Sequence, residues 1–247
     1  MLTQPTLEKL RAMRLEGMAD GWLAQQKDAD ATNLAFDERF ALLVDAEWMH
    51  RENRRLSRAL KEAKLKLAEA CVEDIDCSAR REIDKSVVRQ LASCNWVHEH
   101  QAILITGATG TGKTYVACAL AQQACRKGFR AVYRRASRLF DELRIARADG
   151  TYPRVLTRLA RVDVLVIDDF AISPVSDEER RHLLEILEDR YGTRSTIVTS
   201  QLSPTDWHDY LADPTLADAI CDRIVHHAHR LVLKGPSRRK EKPTAQT

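Results

Sequence analysis

Between residues 6 and 92 apolar side chains recur three and four positions apart, as at Leu56, Leu60, Ala63 and Leu67, and Gly and Pro are nearly absent after Gly21. That interval returns side chains to one face of a helix, so this part of the chain predicts a small all-helical domain. Near residues 95–101 the pattern changes. Short apolar runs at 102–106, 131–134, 164–168, 196–200 and 230–233 alternate with longer amphipathic stretches. Apolar runs of strand length, each followed by a helical stretch, are what a parallel sheet covered on both faces requires. The expected fold class is α/β: a doubly wound parallel five-stranded sheet preceded by a helical domain. The expected boundaries are 1–95 and 96–240, with a polar, disordered tail at 241–247. In such sheets ligands bind at the C-terminal ends of the strands.

Composition narrows the setting. Of 247 residues, 44% are hydrophobic and 30% charged, and no run approaches the roughly 18 apolar residues of a membrane span. The N-terminus has neither an apolar core nor a small-residue cleavage site, so a cytoplasmic bacterial protein without membrane association is expected. Six cysteines (Cys71, Cys77, Cys94, Cys118, Cys125, Cys221) show no paired CxxC spacing, which fits buried thiols in a reducing compartment better than disulfides or zinc. The net charge is only +3, but residues 126–161 carry eleven Lys and Arg against three acids, while 162–247 carry eleven against fifteen. A basic block of this kind suits a polyanionic partner, since cations that neutralise phosphates release condensed counterions.

The chemistry is concentrated at the ends of two of the runs. Gly107, Ala108, Thr109, Gly110, Thr111, Gly112, Lys113 and Thr114 fit GxxxxGK[ST], after the apolar run AILIT and at the start of the amphipathic stretch KTYVACALAQQAC. Glycines let the loop turn its N–H groups inward around phosphates, and the helix start adds its own N–H groups and positive dipole end. Lys113 is expected to reach the β- and γ-phosphates of ATP and the Thr114 hydroxyl to ligate Mg²⁺, with Tyr115 completing the nucleotide-binding stretch. The third run ends in Asp168 and Asp169. A buried strand with acids at its tip offers hard oxygen ligands: Asp168 is the candidate metal carboxylate, through water, and Asp169 the candidate for polarising the attacking water. Without the upstream loop, the two acids would serve equally to cap the next turn.

A phosphate loop with a metal acid also occurs in small-molecule kinases, so the wider pattern decides. The segments LASCNW (91–96), ITGATGTGKT (105–114), LVIDDF (165–170), LEDRYGTRSTIVTSQL (187–202) and DPTLADAICDRIVHHAHRLVLKG (213–235) resemble the IstB family of transposition helper ATPases. The resemblance extends through LRAMRLEGMADGW, FDERFALLVDAEW and RRLSRALKEAKL to nearly the whole chain. Members of that family are AAA+ P-loop proteins related to the DnaC helicase loaders and DnaA initiators. The resemblance implies a DNA-stimulated ATPase that forms a homo-oligomer, as a ring, spiral or filament, on double-stranded target DNA with little regard to sequence. It implies further that this assembly passes the target to a cognate transposase and stimulates it. By the same resemblance Ser200 and Gln201 read the γ-phosphate, Arg223 is an arginine finger acting across a subunit interface, and Arg239 takes the last sensing position. The chain reads GPSRRK there where the family has GESMRK, which leaves Arg238 and Arg239 as alternatives, and Ala171 stands after Phe170 where the family has Gly. From the residues alone, Arg223 reads as a helix arginine paired with Asp218 or Asp222.

Arg51, Arg54, Arg55, Arg58 and Lys61 fall three and four apart and form one basic stripe opposite Leu56, Leu60, Ala63 and Leu67. Arg134, Arg135, Arg138, Arg144 and Arg147 follow the second run and are candidates to line an inner channel. A solvated helix face explains the stripe as well as a phosphate contact does, and the DNA reading of both sets rests on the resemblance. His226, His227 and His229 lack a fourth ligand at a metal spacing and are read as surface or interface residues. Trp22, Trp48, Trp96 and Trp207 are expected as core or anchoring aromatics, with Trp96 alone a candidate for an adenine pocket. Among rivals, a helicase loader like DnaC keeps the chemistry and changes the client. A small-molecule kinase needs a lid and a second substrate pocket that the sequence does not offer, and a scaffold with little turnover fits poorly with an intact Lys113, Asp168 and Arg223.

Overall fold

The computed structural model describes residues 3–78, 82–226 and 228–237. The chain forms two compact units, Met1–Arg58 and Ala59–Thr247. The first holds helices α1 (Thr3–Ala12) and α2 (Glu16–Lys27) and most of α3 (Phe36–Ala63). The approach of α2 to α3 explains Gly17: a Cβ there would stand 2.5 Å from the Ala46 carbonyl oxygen. Ala19 and Leu43 are buried in this unit, and the carboxylate of buried Glu47 accepts from the Met18 N–H at 3.2 Å and holds Arg51 at 2.6 Å. Trp48 is 66% exposed and lies outside the core, contrary to expectation.

The second unit continues through α4 (Lys85–Ala92), α5 (Asn95–His98), β1 (Ala102–Gly107), α6 (Lys113–Arg126) and β2 (Ala131–Arg135). Then come α7 (Ala136–Ala148), α8 (Tyr152–Arg161), β3 (Val164–Phe170), α9 (Asp177–Arg190) and β4 (Ser195–Ser200). It ends with α10 (Trp207–Leu211), α11 (Pro214–Val225) and β5 (Ala228–Leu233). All the strand pairs are parallel, in the order β2-β3-β4-β1-β5. Alternate strand residues point to opposite faces. One set, including Leu104, Leu165, Ile167 and Val198, is buried under α7, α8, α9 and α11; α6 packs on β1 to β4. Lys64, at φ +50°, follows the last residue of α3, so Leu67 lies beyond that helix and shares no face with Leu56 and Leu60.

The composition change near residue 95 does not mark the division between the units. The second unit starts at Ala59, and α4 packs within it: it lies on α6, where Gln123 Nε2 donates to the Ala92 carbonyl at 3.1 Å. Of the six free cysteines Cys94, Cys118 and Cys125 are buried, while Cys71, Cys77 and Cys221 are half-buried, a correction to the expectation of six buried thiols. Among the described residues no helix is long and apolar enough to cross a membrane. The tail at 241–247 lies outside the described residues.

The N-terminal ends of the strands are fastened by one side chain. Arg190 is 1% exposed; its guanidinium donates to the carbonyls of Leu159 (2.5 Å), Val162 (3.0 Å) and Ser195 and to the Thr196 hydroxyl (3.1 Å). It thereby ties α8, the entry to β3 and the start of β4 together without a carboxylate, and burial pulls its pKa down to about 9. Trp96 belongs to the same end. It is 2% exposed, its indole N–H donates to the Leu91 carbonyl at 2.9 Å, and its own carbonyl accepts from Ser195 Oγ at 3.0 Å. That excludes it from an adenine pocket, which belongs at the opposite end of the strands.

Candidate nucleotide site

The glycine loop lies where β1 ends and α6 begins. Gly107 (φ +144°), Gly110 (φ +85°) and Gly112 (φ +103°) hold conformations that a side chain would strain. At two of them space is also lacking: a Cβ on Gly107 would stand 2.2 Å from the Leu233 carbonyl oxygen, and one on Gly110 2.1 Å from Ser237 Oγ. Inside this turn Lys113, only 6% exposed, donates to the carbonyls of Gly107 (2.7 Å) and Ala108 (2.9 Å), and Thr111 Oγ1 donates to the Ala108 carbonyl (2.8 Å). The ammonium is thus held over the mouth of a loop that opens on the start of a helix, a cradle suited to a triphosphate.

Asp168 meets this loop from β3. Thr114 Oγ1 lies 3.0 Å from both of its oxygens, about the separation of neighbouring oxygens around Mg²⁺ held at 2.0–2.1 Å. A hydroxyl and a carboxylate are hard donors, so the pair fits that ion. Asp168 is fully buried and also accepts from Thr199 Oγ1 on Oδ1 and from Tyr133 OH on Oδ2, both at 2.6 Å. Burial, then the neighbouring carboxylate, push the Tyr133 phenol far above its usual range, so it keeps its proton and donates. Lys66 Nζ stands 3.7 Å from Asp168 Oδ2 and 4.0 Å from Asp169 Oδ2.

Asp169 occupies a bulge. The β3–β4 register shifts between Ile167 and Phe170, and Asp169 has φ +59°. That turn directs its backbone N–H to Thr199 Oγ1 at 3.0 Å and its carboxylate to Arg135 Nε at 3.1 Å. Ala171 follows at φ +62°, a left-handed conformation that the glycine of the resemblance adopts without strain.

Most of the residues expected at the site come together here, and some do not. Gln201 reaches the glycine loop, where its Oε1 accepts from Thr109 Oγ1 at 2.7 Å. Ser200 is 1% exposed, and its hydroxyl accepts from the Leu202 N–H at 3.1 Å. It is the preceding residue, Thr199, that touches both acids. Tyr115 turns its hydroxyl to 3.5 Å from the Cys71 carbonyl. Arg134 is committed to Glu142 (2.8 Å), Arg144 to Asp141 (3.0 Å) and Arg147 to His182 (2.7 Å) and the Tyr152 ring (4.3 Å); Arg138 is exposed. On α3, Arg51, Arg54, Arg55, Arg58 and Lys61 are all exposed, with Arg51 on Glu47 and Arg55 on Glu52. Arg238, Arg239 and His227 lie outside the described residues; His226 pairs with Asp222 (3.4 Å) and His229 with Gln101 (2.7 Å). Among the described residues no three His, Cys, Asp or Glu gather to hold a metal.

Arg223 stands apart. It pairs with Glu188 at 2.8 Å, not with Asp218 or Asp222, and donates to the Ala219 carbonyl at 2.9 Å. It lies in the last turn of α11, just before β5, whose Ala228 is in register with Ala102 at the start of β1. The glycine loop follows the other end of β1, so the six residues of that strand separate the two sites by about 20 Å.

Thr199, Tyr133 and Lys66 were not anticipated. Alternation along β4 is the signal that finds Thr199, since only one of two neighbouring strand residues faces the acid-bearing tip of β3. Tyr133 and Lys66 come from a neighbouring strand and a remote segment, and no local pattern marks them.

The chain matches the model of the IstB-like ATP-binding proteins over residues 8–245. It is 42% identical over 240 residues to the insertion sequence ATP-binding protein y4pL of Sinorhizobium fredii, covering 97% of this chain and 98% of that protein. It is 47% identical over 202 residues to the ATP-binding protein of insertion sequence IS1162 from Pseudomonas fluorescens, covering 82% and 87% of the two. Among solved structures the fold resembles the DnaC helicase loader (TM-score 0.54, 23% identity, 67% of this chain and 97% of that one). It also resembles AMPPCP-bound DnaA from Aquifex aeolicus (TM-score 0.55, 19% identity, 66% and 50%). With a P-loop AAA+ fold and full-length relatives of this kind, the chain belongs to the IstB family of insertion sequence ATP-binding proteins.

Proposed function

We propose that the chain is an Mg²⁺-dependent ATPase that assembles on double-stranded DNA, largely without regard to sequence, and delivers that DNA to the transposase of its element. The observation that carries the hydrolytic part is the meeting of Thr114 with Asp168 beside the Lys113 loop. When bound, Mg²⁺ would supply positive charge to the β- and γ-phosphates. Lys113 would turn from its two loop carbonyls to phosphate oxygens, and Thr114 and Asp168 would hold the ion. Tyr133 and Thr199 keep the Asp168 carboxylate oriented, and Asp169 accepts a hydrogen bond from the water in line with the γ-phosphate. Gln201, already on the loop through Thr109, is the residue to read the γ-phosphate.

Arg223 supports the oligomeric part of the reading. At about a strand's length from its own loop, it can neutralise charge only on a neighbour's γ-phosphoryl, after release from Glu188. The insertion sequence relatives, which match over nearly the full chain, favour a transposase as client over a replicative helicase; the likeness to DnaC is one of fold.

ATP hydrolysis by the purified protein with and without double-stranded DNA tests this, alongside Arg223→Ala and Lys113→Ala variants assayed singly and mixed. The expected result is stimulation by DNA, two inactive variants and partial recovery in the mixture. Unstimulated hydrolysis with a fully active Arg223→Ala would overturn the assembly reading.

A further inference from the structure

The sheet has an open edge that the nucleotide site does not use. β2 is one of the two edge strands, and beside it lies a groove of about 980 Å³ bounded by α8 and the last turn of α3. Its walls carry Lys64, Arg130, Arg134, Arg154, Arg158 and Arg161 against a single acid, Glu62. The sequence of α8 produces half of this. Tyr152, Leu156 and Leu159 are buried on one face, so Arg154, Arg158 and Arg161, at intervals of four and three, share the other. Glu142 takes Arg134 and Arg158, and Asp163 lies 3.8 Å from Arg130; Lys64, Arg154 and Arg161 have no acidic partner among the described residues.

A solvated helix face accounts for the three α8 arginines alone. It does not account for three more cations converging on the same concavity, Arg130 and Arg134 at the edge strand and Lys64 just after α3. Like charges gathered there repel one another, and the cluster gains by taking up a polyanion.

We infer that this groove is a docking site for the phosphate backbone of nucleic acid. The inference rests on the DNA reading above and names the surface that carries it. The spacing fits: from Arg154 to Arg161 α8 rises about 10 Å, over which one strand of a duplex presents about three phosphates. Such contacts position DNA without reading its bases.

The test is a full-length Arg154→Glu/Arg161→Glu variant, with Arg154→Gln/Arg161→Gln as the milder pair, titrated against a random-sequence DNA duplex across a salt series. The expected loss for the Glu pair is about tenfold or more, with the dependence of log affinity on log salt shallower by about two. Melting temperature and nucleotide affinity stay unchanged, and Arg54→Glu/Arg58→Glu on α3 loses less. If the unaltered protein fails to bind DNA, the DNA reading itself falls. If it binds and both α8 variants bind equally well, only the groove assignment is overturned. The assignment is also overturned if the variants keep DNA but no longer retain the element's transposase, which would make the groove a site for an acidic polypeptide.

Discussion

The two ends of the sheet solve opposite problems with similar residues. At the N-terminal end a buried arginine, Arg190, commits every nitrogen of its guanidinium to fixed carbonyls and a hydroxyl, beside a tryptophan whose N–H is also satisfied. These groups serve the fold. At the C-terminal end a buried carboxylate, Asp168, is ringed by Thr114, Tyr133 and Thr199, and two backbone positions, Asp169 and Ala171, sit in left-handed conformations. Here polar groups are held ready for a ligand and strain is tolerated. Buried polarity therefore has no single meaning in this fold: at one end it closes the structure, at the other it keeps a site open.

Substitutions can break that contrast. Arg190→Ala should cost about 4 kcal/mol of stability, since it leaves a cavity and several buried acceptors unpaired. Denaturant unfolding measures this, and the nucleotide affinity of the folded protein should not change; a loss below about 1 kcal/mol would remove the N-terminal end from its closing role. A smaller effect of opposite sign is expected at the other end. Ala171→Gly should stabilise by about 0.5 kcal/mol by relieving the left-handed alanine. A destabilised Ala171→Gly would mean that no strain is stored there.

The smallest effect lies in the helical layer. His182 is buried, and burial, then Arg147, lower its pKa, while Glu178, Glu185 and Glu179 act the other way. The unfolded chain takes up this proton near the ordinary value of 6.5 and the folded chain only at lower pH. The contribution to stability is therefore present above pH 6.5 and lost as pH falls below it. Melting temperature should drop between about pH 7.5 and 5.5, less steeply in His182→Gln; equal slopes would show that His182 is not the titrating group.

The strands and the nucleotide motifs were legible because they are local. The run ending in Asp168 and Asp169 and the loop from Gly107 to Thr114 each declare themselves within about eight residues. What the pattern of residues could not supply was long-range. Tyr133 reaches Asp168 only because β2 lies next to β3, and the partner of Arg223 is Glu188 on a packed helix, not an acid on its own. The packing of α4 is long-range in the same way: it has the look of the helical part but lies on α6. Thr199 is of the same kind: the one-residue alternation of side chains along β4 turns its hydroxyl to Asp168 and to the Asp169 N–H.

The pairing of β1 bears on how the protein is made. Its neighbours are β4 and β5, and the space beside Gly107 is closed by the Leu233 carbonyl of that last strand. A chain emerging from its N-terminus presents the phosphate loop long before the strands that hold it. The loop must wait, its apolar strand unpaired, until β4 and β5 have been synthesised. Such non-local closure slows folding and leaves an exposed strand edge in the interval. Nucleotide can stabilise only the paired fold, so ATP acts as a last-stage ligand that rewards chains in which β5 is in place.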